Sequence, residues 1–213
     1  MSGGAVPVRA VISDFGGVLT TPLVQSFLAY QERSGLSLED LGRAMAGAAK
    51  ADGGRHPLYE LEKGHLTEAE FLKRLEAQLG GPHLRGMRET YFEHLHPNRE
   101  MIDWVRAARE RGMRTALLTN NVREWEPLWR AKLPEIDELF EVVVDSAFVG
   151  MRKPEPEIYE LTLERLGDGL RPADCLFIDD VEVNCDAARA LGMRAVHFAS
   201  NEQAIPELDE LCR

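Results

Sequence analysis

Five short apolar, partly β-branched runs limit how this chain can fold more than any other feature: Val8 to Ser13, Thr115 to Leu118, Val142 to Val144, Cys175 to Ile178 and Ala195 to Phe198. Runs of this kind read as strands buried in a parallel sheet. Helical patterns alternate with them. Asn98 stands where it can cap a helix whose apolar face is Met101, Trp104, Val105 and Ala108, and Gly112 ends that helix just before the next strand. The same helix, glycine, strand order recurs at Ala187, Ala188, Leu191 and Gly192, and Pro154 is expected to open a helix that stops near Gly167. This is βαβ grammar. Right-handed crossovers then predict an α/β fold, a doubly wound, Rossmann-like parallel sheet with helices on both faces.

The stretch 20–96 interrupts the alternation, since it holds amphipathic helical patterns and no convincing strand. It is expected to form an inserted helical unit, the cap, with residues 1–19 and 97–213 making the core. Pro22 and Pro97 mark the borders. The clearest local signal inside it is Thr67-Glu68-Ala69-Glu70, a capping box ahead of Phe71, Leu72 and Leu75.

Composition removes several classes of function. Asp and Glu number 36 against 25 Lys and Arg, a net charge of -11. That field repels polyanions and leaves no footprint for nucleic acid. No apolar run approaches the roughly 20 residues of a membrane-spanning helix, so no membrane partner is expected. The opening MSGGAVPVRAVIS lacks a signal-peptide core. Cys175, Cys185 and Cys212 fit neither a disulfide framework nor a zinc cluster. Reduced thiols and a cytoplasmic location are the expectation.

Ligands of open α/β sheets bind beyond the carboxyl ends of the strands, so the polar residues there are the ones to read. The first strand ends at Asp14, the second at Thr119-Asn120-Asn121, the fourth at Asp179-Asp180, and Arg152-Lys153-Pro154 follows the third. Three carboxylates gathered in one site do not all ionise without compensation. A divalent cation together with Lys153 neutralises them, and an all-oxygen donor set beside a lysine suits Mg2+ sharing its shell with a phosphate. Phosphoryl transfer needs an in-line nucleophile and positive charge on the phosphoryl oxygens. Asp14 is the candidate nucleophile. The Thr119 hydroxyl and backbone N–H groups at the start of a helix after Asn120 are expected to hold phosphate oxygens, and Lys153 to neutralise both nucleophile and phosphate. Asp180 is the candidate direct metal ligand. Asp179 is expected to orient Lys153 or a water of the metal's shell, and Asn184 to support the loop.

At these residues the sequence resembles the haloacid-dehalogenase-like (HAD) hydrolase superfamily along nearly the whole chain. Asp14 in VISDFGGVLT stands at its first motif, Thr119 at the second, Lys153 in GMRKPEPEIY at the third, and Asp179-Asp180 in FIDDVEVNCDAARALGM at the fourth. The insertion lies where the family places a helical C1 cap. EKGHLTEAEF within it looks like the subgroup holding the phosphatase domain of soluble epoxide hydrolases and small bacterial sugar-phosphate phosphatases. The resemblance implies a Mg2+-dependent phosphatase of a small phosphorylated metabolite, working through an aspartyl-phosphate, with metal held by Asp14, Asp180 and the backbone carbonyl of Gly16. One departure stands out: the family's usual second aspartate, a general acid and base, is replaced by Gly16. A positioned acid/base is worth about 10²- to 10⁴-fold. Either another group or water substitutes, or the enzyme is slow, or it prefers good leaving groups, and mutase activity is disfavoured. Two alternatives follow: a metal-free 2-haloacid dehalogenase, which has no use for the Asp179-Asp180 pair, and a weakly active protein that binds a phosphorylated ligand as a sensor.

Each residue also has a plainer reading. An aspartate after a strand is more often a helix cap than a nucleophile, adjacent acids are commonly surface charge, Thr119 can simply cap a helix, and Lys153 can be a solvated lysine. The functional reading rests on all of them falling together at strand ends. Elsewhere the plain reading prevails: Trp104, Trp125 and Trp129 as packing, His56, His65, His83, His94 and His96 without metal-like spacing, Arg123 as an exposed helix arginine, and Gly17 as tight backbone geometry.

Overall fold

The computed structural model describes residues 7–81 and 84–213. The first six residues of the opening segment, and His83, lie outside them. Five parallel strands form one sheet in the order β3-β2-β1-β4-β5, with β1 at Ala10–Ser13, β2 at Arg114–Thr119, β3 at Val142–Asp145, β4 at Cys175–Asp179 and β5 at Arg194–His197. Ser13 of the central strand lies opposite Leu117 on one side and Ile178 on the other. The chain leaves β1 towards β2 and β3, then returns past β1 to β4, so the order reverses beside β1. Ligand sites of such sheets form at that switch.

Alternation along the strands explains why both faces are covered. Val11, Leu117, Leu176 and Ile178 enter one apolar layer, beneath α6 (Arg99–Glu110), α7 (Glu126–Lys132), α8 (Ile136–Leu139) and α12 (Asn201–Leu211). Ala10, Ile12, Leu118 and Phe177 enter the other, against α10 (Pro156–Leu166) and α11 (Glu182–Ala190). The sheet is therefore apolar on both sides, as the continuous runs require. A four-residue helix, α9 (Ser146–Val149), follows β3 directly.

Between β1 and α6 lie five helices: α1 (Leu23–Ser34), α2 (Leu38–Ala51), α3 (Pro57–Glu62), α4 (Glu68–Leu79) and α5 (Met87–Glu93). They share an apolar cluster that includes Tyr30, Leu41, Leu61, Phe71, Leu75 and Met87. The Thr67 box forms: Thr67 Oγ1 accepts from the Glu70 N–H at 3.2 Å, and Glu70 Oε2 accepts from the Thr67 N–H at 2.9 Å. An equivalent box at Ser37 and Asp40, unread in the sequence, starts α2. The two chain passages joining this unit to the sheet run side by side, with Thr20 bridged to Pro97 and the Asn98 N–H donating to the Leu19 carbonyl at 2.8 Å.

Three local expectations are corrected. Asn98 precedes α6 but makes no side-chain cap; its amide donates instead to the Val18 carbonyl at 2.9 Å and to Asn201 Oδ1 at 2.8 Å, fastening α12 to the end of β1. The helix expected from Pro154 begins at Pro156, because residues 152–155 form a turn in which the Glu155 N–H bonds back to the Arg152 carbonyl. β5 starts at Arg194 and stops at His197, one residue before the expected ends.

Candidate active site

Asp14 is delivered by β1, whose pairing with β4 continues one residue further through the Asp14 N–H and the Ile178 carbonyl at 2.8 Å. Its carboxylate faces Lys153, an almost fully buried side chain from the loop before α10. Lys153 Nζ lies 2.7 Å from Asp14 Oδ1 and 2.6 Å from Asp179 Oδ2. The other Asp179 oxygen accepts from the Val181 N–H at 2.8 Å and from Asn184 Nδ2 at 3.0 Å. Both Asp179 oxygens are thus spent within the protein, holding the lysine and the loop. Asn184 therefore ties the start of α11 to the end of β4.

Asn120 makes a further contact. Its side chain clamps the Lys153 backbone, accepting from the Lys153 N–H at 2.9 Å and donating to the Lys153 carbonyl at 3.0 Å. The amides expected to meet phosphate also have partners: the Asn121 N–H donates to Ser146 Oγ at 3.0 Å and the Val122 N–H to Asn121 Oδ1 at 2.9 Å. The segment continues as a single 3-10 turn, Arg123–Trp125, before α7 begins at Glu126. No α-helix N-terminus opens directly after Asn120, which corrects that expectation. Thr119, the buried last residue of β2, lines the same cavity as Asp14 and Lys153.

Asp180 is half-buried, and oxygens of Asp14, Asp179 and Asp180 lie within 4.8 Å of one another, the one such cluster among the described residues. Gly17 makes room for it. At φ +83° a Cβ on Gly17 would run into the Asp180 carboxylate, so the glycine is needed for both conformation and space. At Gly16 a Cβ would meet the Leu23 methyl groups at 3.1 Å. Leu23 of α1 thus packs over Gly16.

The electrostatics follow from burial. Removal from water pushes the Asp14 carboxyl up, Lys153 opposes that shift, and Asp179 and Asp180 add to it. Asp180 is pushed up to about 6 by burial and by Asp179. Burial alone would lower the Lys153 ammonium, but Asp14 and Asp179 overcome it and hold it charged. Three carboxylates face one ammonium, so the site is short of positive charge.

The cavity over these groups has a volume of about 400 Å³. Part of its lining comes from the helical unit and escaped the sequence reading: Leu23, Tyr59, Glu62 and Tyr91. Glu62 pairs with Arg152 at 2.6 Å, and the Arg152 guanidinium lies 4.0 Å from the centre of the Tyr59 ring. Lys63 pairs with Glu155 on the same loop. Burial pushes the Glu62 carboxyl up against the pull of Arg152, and burial with the charges of Asp14 and Asp180 pushes the Tyr91 phenol up. The Tyr59 and Glu62 spacing on α3 was the available signal, but any helix shows residues three apart on one face.

The plain readings fare as follows. Trp104 and Trp129 are buried in the first apolar layer. Trp125 is half-buried and donates to Glu68 at 2.9 Å. Arg123 is exposed, yet it bonds to the Ala147 carbonyl, against which Gly64 of the helical unit packs. His65 meets Glu60 and His94 the Thr90 carbonyl. All three cysteines are free. No helix among the described residues is long and apolar enough to cross a membrane.

Residues 8–192 match the family described as haloacid dehalogenase-like hydrolase. The chain belongs to that family. Relatives of this HAD-like chain include acyl-CoA dehydrogenase family member 10 of Mus musculus, 29% identical over 99% of the chain but only 20% of the relative's length. A sesquiterpene phosphatase of Aspergillus oryzae is 27% identical, with 95% of the chain and 96% of the relative covered. The fold is shared with a HAD family enzyme of Bacteroides thetaiotaomicron at a TM-score of 0.70 and 24% identity, covering 95% and 98% of the two chains. That enzyme has also been crystallised with magnesium and inorganic phosphate.

Proposed function

We infer that the chain is a Mg2+-dependent phosphatase of a small phosphorylated metabolite, with Asp14 as nucleophile. The observation that carries this reading is Lys153 Nζ bridging Asp14 and Asp179 in a buried site with surplus negative charge. The all-oxygen donors fit Mg2+. Asp14, Asp180 and the Gly16 carbonyl would hold it, and when bound it supplies positive charge to the carboxylates and the phosphoryl oxygens.

Lys153 occupies Asp14 Oδ1, which leaves Oδ2 to attack phosphorus in line with the leaving oxygen. The bond to the leaving oxygen breaks as the aspartyl-phosphate forms, and that oxygen takes its proton from water, since Gly16 offers none. Water then cleaves the phosphorus–oxygen bond, returning the Asp14 carboxylate and releasing phosphate. Lys153 and the Thr119 hydroxyl bind phosphoryl oxygens, Asp179 and Asn184 position Lys153, and Asn120 acts at one remove by fixing the lysine's backbone. Residues 20–96 act as the cap that roofs the site. The phosphatase among the relatives and the neighbour's complex with magnesium and phosphate support this reading. The surplus of carboxylates disfavours the metal-free dehalogenase alternative.

The deciding experiment is a panel of phosphate monoesters assayed with and without Mg2+, for the parent and for Asp14→Asn. Turnover that needs Mg2+ and falls by at least 10³-fold in the variant is the expected result, of the size seen when a nucleophile is removed. Equal turnover by both proteins would overturn the assignment. Halide release from a 2-haloacid without metal would replace it with the dehalogenase.

A further inference from the structure

A second cavity, of about 210 Å³, adjoins the first. Leu23, Glu62, Tyr91, Asn120 and Asn121 line both, so these five side chains form the partition between them. Beyond the partition the walls are hydrocarbon and thioether: Phe27, Leu41, Met45, Phe71 and Leu75 among them, together with the Trp125 ring. The acids at its margin, the Asn120 amide and the Asn121 side-chain oxygen have partners within the protein, and the Tyr91 hydroxyl stands at the partition rather than beyond it. Glu62 pairs with Arg152 at 2.6 Å, Glu68 with Arg88 at 2.8 Å and with the Trp125 indole at 2.9 Å, and Asn120 with the Lys153 backbone. A hydroxyl-rich group entering this space would leave its hydrogen bonds behind in water, a loss of several powers of ten against an apolar group of the same shape.

Leu23 links the two cavities in a second way. Its methyl groups stand over Gly16, so the leaving-group side of Asp14 is apolar at the point where the insertion begins. We propose that the second cavity binds the hydrocarbon tail of the substrate, making the substrate class a phosphate ester with an apolar chain, whose phosphate lies at Asp14 and whose chain passes Leu23 and Tyr91. The proposal rests on the phosphatase reading and sharpens it. An apolar cavity of about 150 Å³ takes a benzene ring, so this one accommodates about eight carbons.

The test is kcat/KM for n-alkyl phosphates from two to twelve carbons, with Mg2+ present. Each buried methylene is expected to raise kcat/KM about three- to fourfold, up to about eight carbons, after which the profile flattens. Met45→Trp, which fills the cavity, is expected to cut the octyl-to-ethyl ratio at least tenfold. If that protein does not fold by circular dichroism, Leu58→Phe, at another residue lining the same cavity, takes its place. A flat profile in a protein that hydrolyses the short esters overturns the tail site and leaves the phosphatase standing. If no ester is hydrolysed the phosphatase reading fails, and the cavity is judged by melting temperature in Mg2+: octyl phosphate stabilising more than ethyl phosphate upholds it, and equal shifts overturn it.

Discussion

Gly16 stands two residues after the proposed nucleophile. Placing an acid there by Gly16→Asp is expected to give only part of its gain alone, because the Leu23 methyls, 3.1 Å from where a Cβ would lie, must shift to admit it. Paired with Leu23→Ala, it is expected to raise the rate on alkyl phosphates by about 10²-fold or more, the lower range for a positioned acid. A single variant as fast as the double would show that Leu23 is no obstacle. Asp145, buried at the end of β3, carries a different prediction. Burial pushes it up to about 6, against an ordinary carboxylate value near 4. Between those values the folded state binds more protons than the unfolded chain, so stability falls as pH rises through the interval and levels off above it. Compared with Asp145→Asn by urea unfolding, the parent is expected to lose about 2–3 kcal/mol of relative stability from pH 4 to 6. A constant difference across that range would refute the assignment. The charged residues around Lys153 were legible in the sequence because each is attached to a strand end, and parallel topology sends strand ends to one edge. Asn120, Glu62, Tyr91 and Leu23 were not, since their partners are chosen by how loops and inserted helices fold back over that edge.

Elements were easier to read than their ends. All five strands lie where apolar runs put them, because both sheet faces demand continuous burial. The misplaced boundary at Pro154 arose because a proline at a helix start and one in the preceding turn look alike without their hydrogen bonds. Asn98 was misassigned for a related reason: its side chain found tertiary partners in Val18 and Asn201 that outcompeted the local cap. Thr67, by contrast, has only its own helix to serve. Thr67→Ala is expected to cost about 1 kcal/mol and to lower the melting temperature by about 2–4 °C. No shift in a calorimetric scan would mean that the box contributes nothing.

At the scale of the molecule, the proposed cation is expected to act on stability, because three carboxylates face a single ammonium in the site. Saturating Mg2+ at about a hundred times its dissociation constant is expected to stabilise the fold by about 2.7 kcal/mol, and chelation to reverse this. Asp180→Asn should abolish the effect in thermal unfolding, and persistence of the full shift would exclude Asp180 as a ligand. The roof over the site also has moorings whose location matters. Glu62 at the end of α3 and Lys63 just after it pair with Arg152 and Glu155, both on the short turn that carries Lys153. If the helices move to admit a ligand, these ion pairs are expected to couple that motion to the turn that holds Lys153. Slackening one rope, as in Glu62→Gln, is expected to speed amide hydrogen exchange in α3 and in residues 150–155 together, and exchange that quickened in only one of them would show that roof and turn move apart.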